Sequence, residues 1–147
     1  MHTPTVEIRR ADDRAKTKIS WLDSKHSFAF GSHYQPDNTH HGLLLVNNDD
    51  MVKPGTGFDT HPHRDMEIVT WVLRGSLVHQ DSQGHSGVIY PGLAQRMSAG
   101  RGIMHSEKND AWRLRIVMAV SSLCSGMPDA IVTRPPRSNS SSISSCW

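Results

Sequence analysis

Two short segments of this chain carry side chains that could bind one metal ion together. His61 and His63 stand two residues apart, and so do His105 and Glu107. On an extended chain, side chains two residues apart point to the same face. Three imidazole nitrogens and one carboxylate oxygen suit Fe, Ni, Co, Cu, Mn or Zn as divalent ions. On facing strands of a small barrel the four side chains would converge on one point, so the sequence predicts a site for one such ion.

The other histidines lack this support. The chain has ten, and a single His-x-His pair occurs by chance in many surface loops, so the second pair carries the argument. His40 and His41 are adjacent and would face opposite ways on a strand. His79 and His85 flank a turn, and we expect both to be exposed to solvent.

Composition excludes several classes of protein. The 147 residues fit one domain, and the net charge of +2 comes from interspersed acidic and basic residues rather than from a basic stripe. Direct binding of nucleic acid is therefore not expected. No apolar run is long enough to span a membrane, and the first 14 residues are too polar and charged for a signal peptide. We expect a cytoplasmic protein without membrane contact.

The elements that must position the metal ligands are predicted to be short strands. Gly42–Val46 is an apolar run that indicates a buried strand, followed by a turn over Asn47–Asp50. Met66–Leu73 and Leu77–Gln80 look like two strands of a hairpin, with Arg74–Ser76 as the turn. Breaker residues recur every eight to twelve positions, and no helical period appears before residue 110. This pattern is typical of an all-β sandwich or barrel.

The last third of the chain has a different composition. Arg113–Val120 is an apolar run that could form a strand or a helical turn, and beyond it lies a serine-rich stretch with little charge. Such a stretch cannot bury enough apolar surface to order itself. We therefore predict a folded domain over residues 1–121 and a disordered tail over residues 122–147.

Two blocks of sequence resemble a known family. The spacing of Gly55, His61, His63 and Glu67 is similar to the first cupin motif, although the closing glycine, Gly75, comes one residue late. The spacing of Gly102, His105 and Asn109 is similar to the second. More specifically, residues 61–70 and 97–107 resemble the signature blocks of the pirin family, and the resemblance covers about residues 18–109.

The resemblance implies a fold and a ligand set. Pirin-like proteins are bicupins that hold their metal in the N-terminal barrel, a small all-β barrel of the cupin type (a jelly roll, or double-stranded β-helix). Their ligand pattern corresponds to His61, His63, His105 and Glu107 here, whereas Glu67 is not expected to bind metal. The implied cofactor is one divalent transition metal, Fe(II) before Ni, Co, Cu, Mn or Zn.

The resemblance also implies an activity, with alternatives. Several bacterial members oxidise quercetin, so we expect a metal-dependent 2,3-dioxygenase that takes a flavonol and dioxygen and releases carbon monoxide. Glu107 would act as the catalytic base. The eukaryotic founder of the family instead suggests a non-enzymatic, metal-dependent interaction or regulatory protein. A third possibility is an inactive fragment.

The pirin pattern stops after Asn109, where a strand leading into a second barrel should follow. The loss of pattern, histidines and charge together predicts a chain truncated by a shift in reading frame after the N-terminal cupin domain, and a naturally divergent C-terminus remains the alternative. Without a second barrel, an apolar face would be exposed. We therefore expect self-association and low activity.

Overall fold

Strand β9, Ile103–Asn109, shows how the sequence builds the fold, because every second side chain along it is buried. The computed structural model describes residues 6–124. The strands of this range are β1 (Ala15–Lys18), β2 (Leu22–His26), β3 (Leu44–Val52), β4 (Thr56–His63), β5 (Met66–Arg74), β6 (Leu77–Asp81), β7 (Ser86–Ile89), β8 (Ala94–Ser98), β9 and β10 (Ile116–Cys124).

These strands form two antiparallel sheets. One sheet has the order β1-β2-β3-β10-β5-β8, and the other has the order β4-β9-β6-β7. Apart from the strands, residues 6–124 contain one short 3-10 turn, Ala11–Asp13, and no helix long and apolar enough to cross a bilayer. The prediction of an all-β, cupin-type barrel is confirmed.

The space between the sheets holds two apolar clusters with polar groups beside them. The larger cluster is formed by Val52, Val72, Leu77, Ile89, Ile116 and Met118. The smaller is formed by Ile68, Met97, Ala99 and Ile103. The neighbouring buried polar side chains include Asp50, Thr70, His79, His105 and Glu107. Burial of the apolar clusters therefore fixes the strands that carry the polar groups.

The predicted hairpin between Met66–Leu73 and Leu77–Gln80 is wrong, although both segments are strands. β5 pairs with β10 and β8, whereas β6 pairs with β7 and β9 in the other sheet. Both edges of β5 are occupied, so the chain leaves its sheet at Gly75, whose φ is +85°. A Cβ atom there would lie 3.2 Å from the carbonyl oxygen of Arg115.

The predicted turn over Asn47–Asp50 is also wrong, because these residues form the middle of β3. Asn48 and Asp50 are 5% and 4% exposed. The side chain of Asn48 is bonded to the ring of His26 at 3.0 Å, and Ser24 is hydrogen-bonded to Asp50. Polar residues that suggested a turn are thus buried with partners from β2.

The apolar run after residue 113 forms a strand at the centre of the larger sheet. β10 lies between β3 and β5 and includes residues 122–124, which the sequence assigned to the tail. The rest of that predicted tail, 125–147, lies outside the described residues. Trp71 and Leu73, on the outer side of β5, are 40% and 58% exposed. Exposed apolar side chains of this kind are what a second copy of the chain would pack against. Self-association itself stays a prediction.

A close approach at Gly57 gives a test of the pairing that carries the metal ligands. Its φ is +151°, and a Cβ atom would lie 2.2 Å from the carbonyl oxygen of Glu107. Gly57→Ala is therefore expected to push β4 away from β9 and to lower the free energy of unfolding by roughly 2 kcal/mol. Urea unfolding of the metal-free protein measures this. Gly87→Ala, where a Cβ would meet nothing within 4 Å, should change it by less than about 0.5 kcal/mol. Equal effects would contradict the argument.

Candidate metal centre

Three histidine rings meet where β4 pairs with β9. His61 lies opposite His105 in the register, and their ring centroids are 4.4 Å apart. The ring of His63 is 4.8 Å from that of His61 and 4.9 Å from that of His105. One nitrogen of each ring lies within 4.8 Å of the others. The two sequence segments therefore do meet, and we call these three residues the outer triad.

A backbone contact orients the ring of His61. Its Nδ1 lies 2.7 Å from the carbonyl oxygen of Asp59, and a carbonyl can only accept, so Nδ1 carries the proton. The lone pair is then on Nε2. A hydrogen bond from one ring nitrogen to a carbonyl is the usual way in which a protein prepares the other nitrogen for a metal.

Two histidines of the outer triad, His63 and His105, are held in the neutral form that metal binding requires. Burial, followed by the charges of His61 and His63, lowers the pKa of His105 to about 3. Burial and the charge of His61 also lower the pKa of His63. His105 is 2% exposed, whereas His61 and His63 are only partly buried. Neutral imidazoles are thus available at neutral pH, on a site that opens toward solvent.

Glu107 lies behind the outer triad, inside the barrel. It is 5% exposed, and its Oε1 accepts a hydrogen bond from the hydroxyl of Thr70 at 3.1 Å. Burial raises the pKa of Glu107 to about 7, and the nearby charge of Asp50 acts in the same direction. A carboxyl with such a pKa can take up or release a proton near neutrality, which suits a general base.

The four predicted residues do not form one tight set. The carboxylate of Glu107 belongs to a second group, in which its oxygen and one nitrogen each of His79 and His105 lie within 4.8 Å of one another. We call His79, His105 and Glu107 the inner group. His105 is common to both.

The expectation that His79 is solvated is wrong, since it is 2% exposed. It follows the buried Leu77 by two residues on β6 and so faces the interior. That alternation was visible in the sequence, but it did not show which face of β6 is covered. His85 has a side chain that is 77% exposed, as expected.

Asp81 supports the inner group. Its side chain is 3% exposed and lies 3.6 Å from Nε2 of His79. The backbone N–H groups of Gln83 and His85 donate to Asp81 at 2.9 and 3.0 Å, and the ring of His85 donates at 3.0 Å. Desolvation would raise the pKa of Asp81, but these hydrogen bonds outweigh it and lower the pKa. The carboxylate beside His79 is therefore an anion.

Glu67, which matches a ligand position of some other cupins, is directed elsewhere. Its carboxylate accepts a hydrogen bond from the hydroxyl of Ser98 at 2.6 Å and lies 3.6 Å from the guanidinium of Arg96. Side chains alternate along β5, and Ile68 and Thr70 are buried because the even-numbered ones face the interior. Glu67 is therefore on the opposite face of the strand. Among the residues described by the structure, Glu67 is in neither metal-binding group.

The residues of the centre fit a divalent transition metal. Both ring nitrogens of His105 and Nδ1 of His79 are buried and have no hydrogen-bond partner within residues 6–124. Buried polar atoms without a partner are costly. Imidazole nitrogens with a single carboxylate are the donors that Fe, Ni, Co, Cu and Zn accept.

Residues 8–119 match the family model described as Pirin. The chain belongs to the pirin family. A Mycobacterium tuberculosis protein that carries the provisional name quercetin 2,3-dioxygenase is 78% identical over 109 residues, which is 74% of this chain and 45% of that protein. Quercetin 2,3-dioxygenase of Escherichia coli K12 is 47% identical over 104 residues, which is 71% of this chain and 45% of the relative.

Solved structures agree with this membership. The bacterial pirin YhhW from Escherichia coli, in complex with nickel(II), has a TM-score of 0.75 at 40% identity, covering 86% of this chain and 54% of that one. The cupin domain of Schizosaccharomyces pombe Cnp3, at 10% identity and a TM-score of 0.56, shows the shared fold alone. This pirin chain spans about half the length of the curated relatives that it matches. The predicted shift in reading frame stays a prediction.

Proposed function

We propose that this chain is a metal-dependent dioxygenase that opens the ring of a flavonol such as quercetin with dioxygen and releases carbon monoxide. The observation that carries the proposal is the outer triad, which opens to solvent and has a buried, proton-accepting Glu107 behind it. The names of the relatives support the substrate class. A cytoplasmic location stays part of the proposal.

One divalent ion, Fe(II) before Ni, Co, Cu, Mn or Zn, is the proposed cofactor. Its proposed ligands are His61, His63, His105 and Glu107. When bound, such an ion supplies Lewis acidity that lowers the pKa of the flavonol hydroxyl and stabilises the resulting anion. His61 and His63 line the solvent side, where a planar substrate can approach. Glu107 accepts the hydroxyl proton at its carboxylate, and Thr70 holds that carboxylate in place by its hydrogen bond.

The first test concerns the metal. The metal-free chain is expected to bind one divalent ion, and His63→Ala should weaken binding by ~10-fold to ~100-fold because one of the converging nitrogens is lost. Isothermal titration calorimetry with Ni(II) and elemental analysis measure the affinity and the stoichiometry. His41→Ala, which changes an exposed loop histidine, serves as the control and should leave both unchanged. Identical affinities for wild type and His63→Ala would refute this ligand assignment.

The second test concerns the reaction. The metal-loaded chain is incubated with quercetin in air, while the near-ultraviolet band of the flavonol and the uptake of oxygen are followed. Decay of the band with matching oxygen uptake and release of carbon monoxide supports the dioxygenase. Metal binding without any decay would instead favour the regulatory function or an inactive fragment.

A further inference from the structure

His79 is placed where a metal ligand would be, although the family pattern does not include it. On β6 it lies directly opposite Glu107 of β9, and its ring centroid is 5.3 Å from that of His105. Residues opposite each other on one face of an antiparallel pair have side chains in contact range. All three side chains of the inner group are at least nine-tenths buried.

The ring of His79 has one nitrogen facing an anion and the other without a partner. Nε2 lies 3.6 Å from the Asp81 carboxylate, and this negative charge favours a proton on Nε2. The lone pair is then on Nδ1, which is buried and has no hydrogen-bond partner within residues 6–124. A carboxylate behind a histidine with a free second nitrogen is the arrangement that prepares a metal ligand.

We propose that His79, together with His105 and Glu107, forms an inner metal-binding position behind the outer triad. The inference rests on the proposed function insofar as that function requires a metal at this centre. Because His105 belongs to both sets, one ion occupies one position at a time.

The two positions would separate the two roles proposed for Glu107. With an ion held by the outer triad, three imidazoles keep the ion in place, so the carboxylate of Glu107 can leave it and accept a proton from a substrate hydroxyl. With an ion held by the inner group, the same carboxylate is a ligand and cannot act as a base. His79 therefore sets the fraction of bound metal ions that leave the carboxylate of Glu107 free to act as a base.

A double-mutant cycle tests this proposal. The affinity of the metal-free chain for Co(II) is measured by calorimetry in wild type, His63→Ala, His79→Gln and the double variant, together with the visible absorption of bound Co(II). In wild type the outer triad can hold the ion, so His79→Gln should weaken binding less than ~10-fold. In the His63→Ala background binding depends on the inner group, and His79→Gln should weaken it by at least ~10-fold more than in wild type. The Co(II) spectrum should change between wild type and His63→Ala.

The control is His41→Gln, which changes an exposed histidine outside both groups and should not change the affinity in either background. If His79→Gln fails to fold, as judged by thermal unfolding, Asp81→Asn replaces it. Asp81→Asn should likewise weaken Co(II) binding more in the His63→Ala background than in wild type. If His79→Gln weakens Co(II) binding by the same factor in wild type and in His63→Ala, the inner position is overturned and the proposed function is left intact. Failure of wild type to bind Co(II), Ni(II) or Fe(II) at all overturns both.

Discussion

Replacing Glu107 by glutamine is expected to lower flavonol turnover by a factor of ~100 to ~10,000, the usual contribution of a general base. Metal content should fall much less, because the outer triad keeps its three imidazoles within 4.8 Å of one another. Glutamine preserves the shape of the side chain and can still accept the hydrogen bond from Thr70. It cannot take up the proton that the carboxylate accepts.

The measurement compares turnover per bound metal ion in wild type and Glu107→Gln. Glu67→Gln is a matched control, since it removes a carboxylate that is bonded to Ser98 and lies away from the centre, and it should turn over quercetin like wild type. If activity and metal content of Glu107→Gln fall in strict proportion, Glu107 is a ligand and nothing more.

The stability of the metal-free protein should depend on pH in a way that Glu107 determines. The pKa of Glu107 is raised from 4.5 to about 7 in the folded chain, so between these values the folded protein holds a proton that the unfolded chain releases. Its contribution to stability is fully present below pH 4.5 and is lost as the pH rises through 7. This loss is on the order of 3 kcal/mol.

His105 has the opposite effect on stability. Its pKa is lowered from 6.5 to about 3, so its contribution is present above pH 6.5 and is lost as the pH falls through 3. In wild type the effect of Glu107 opposes those of His105 and His63, whose pKa is also lowered, so between pH 4.5 and 6.5 the free energy of unfolding should rise less steeply with pH than it would without Glu107. Glu107→Gln removes the effect of Glu107, so the variant should become more stable as the pH rises.

Urea unfolding of chelator-treated wild type and Glu107→Gln at several pH values from 4.5 to 7.5 tests this. The free energy of unfolding of Glu107→Gln minus that of wild type should grow across that range by about 3 kcal/mol. The control variant Glu67→Gln should show the same pH profile as wild type. Parallel pH profiles for wild type and Glu107→Gln would show that the pKa of Glu107 is not raised.

The sequence predicted strands better than it predicted their partners. Met66–Leu73 and Leu77–Gln80 are strands, as their β-branched residues indicate, but they lie in different sheets. A hairpin is the expected result of a short turn when both strands have a free edge. β5 has none, because β10 and β8 pair with it on either side. Pairing between residues far apart in the chain therefore overrode the local signal.

The sequence by itself predicted the residues of the outer triad, while only the tertiary structure brought their two segments together and added His79. The spacing of two residues in His61–His63 and His105–Glu107 acts locally, since alternation on a strand puts both members of a pair on one face. His79 and Asp81 repeat the spacing of His105 and Glu107, but this spacing does not show which face of the strand is covered. The burial of His79 depends on β6 lying beside β9. The separation of Glu107 from His61 and His63 was also decided by strand pairing. The register of β4 on β9 shifts between Phe58 and His61, so Phe58 rather than a histidine lies opposite Glu107.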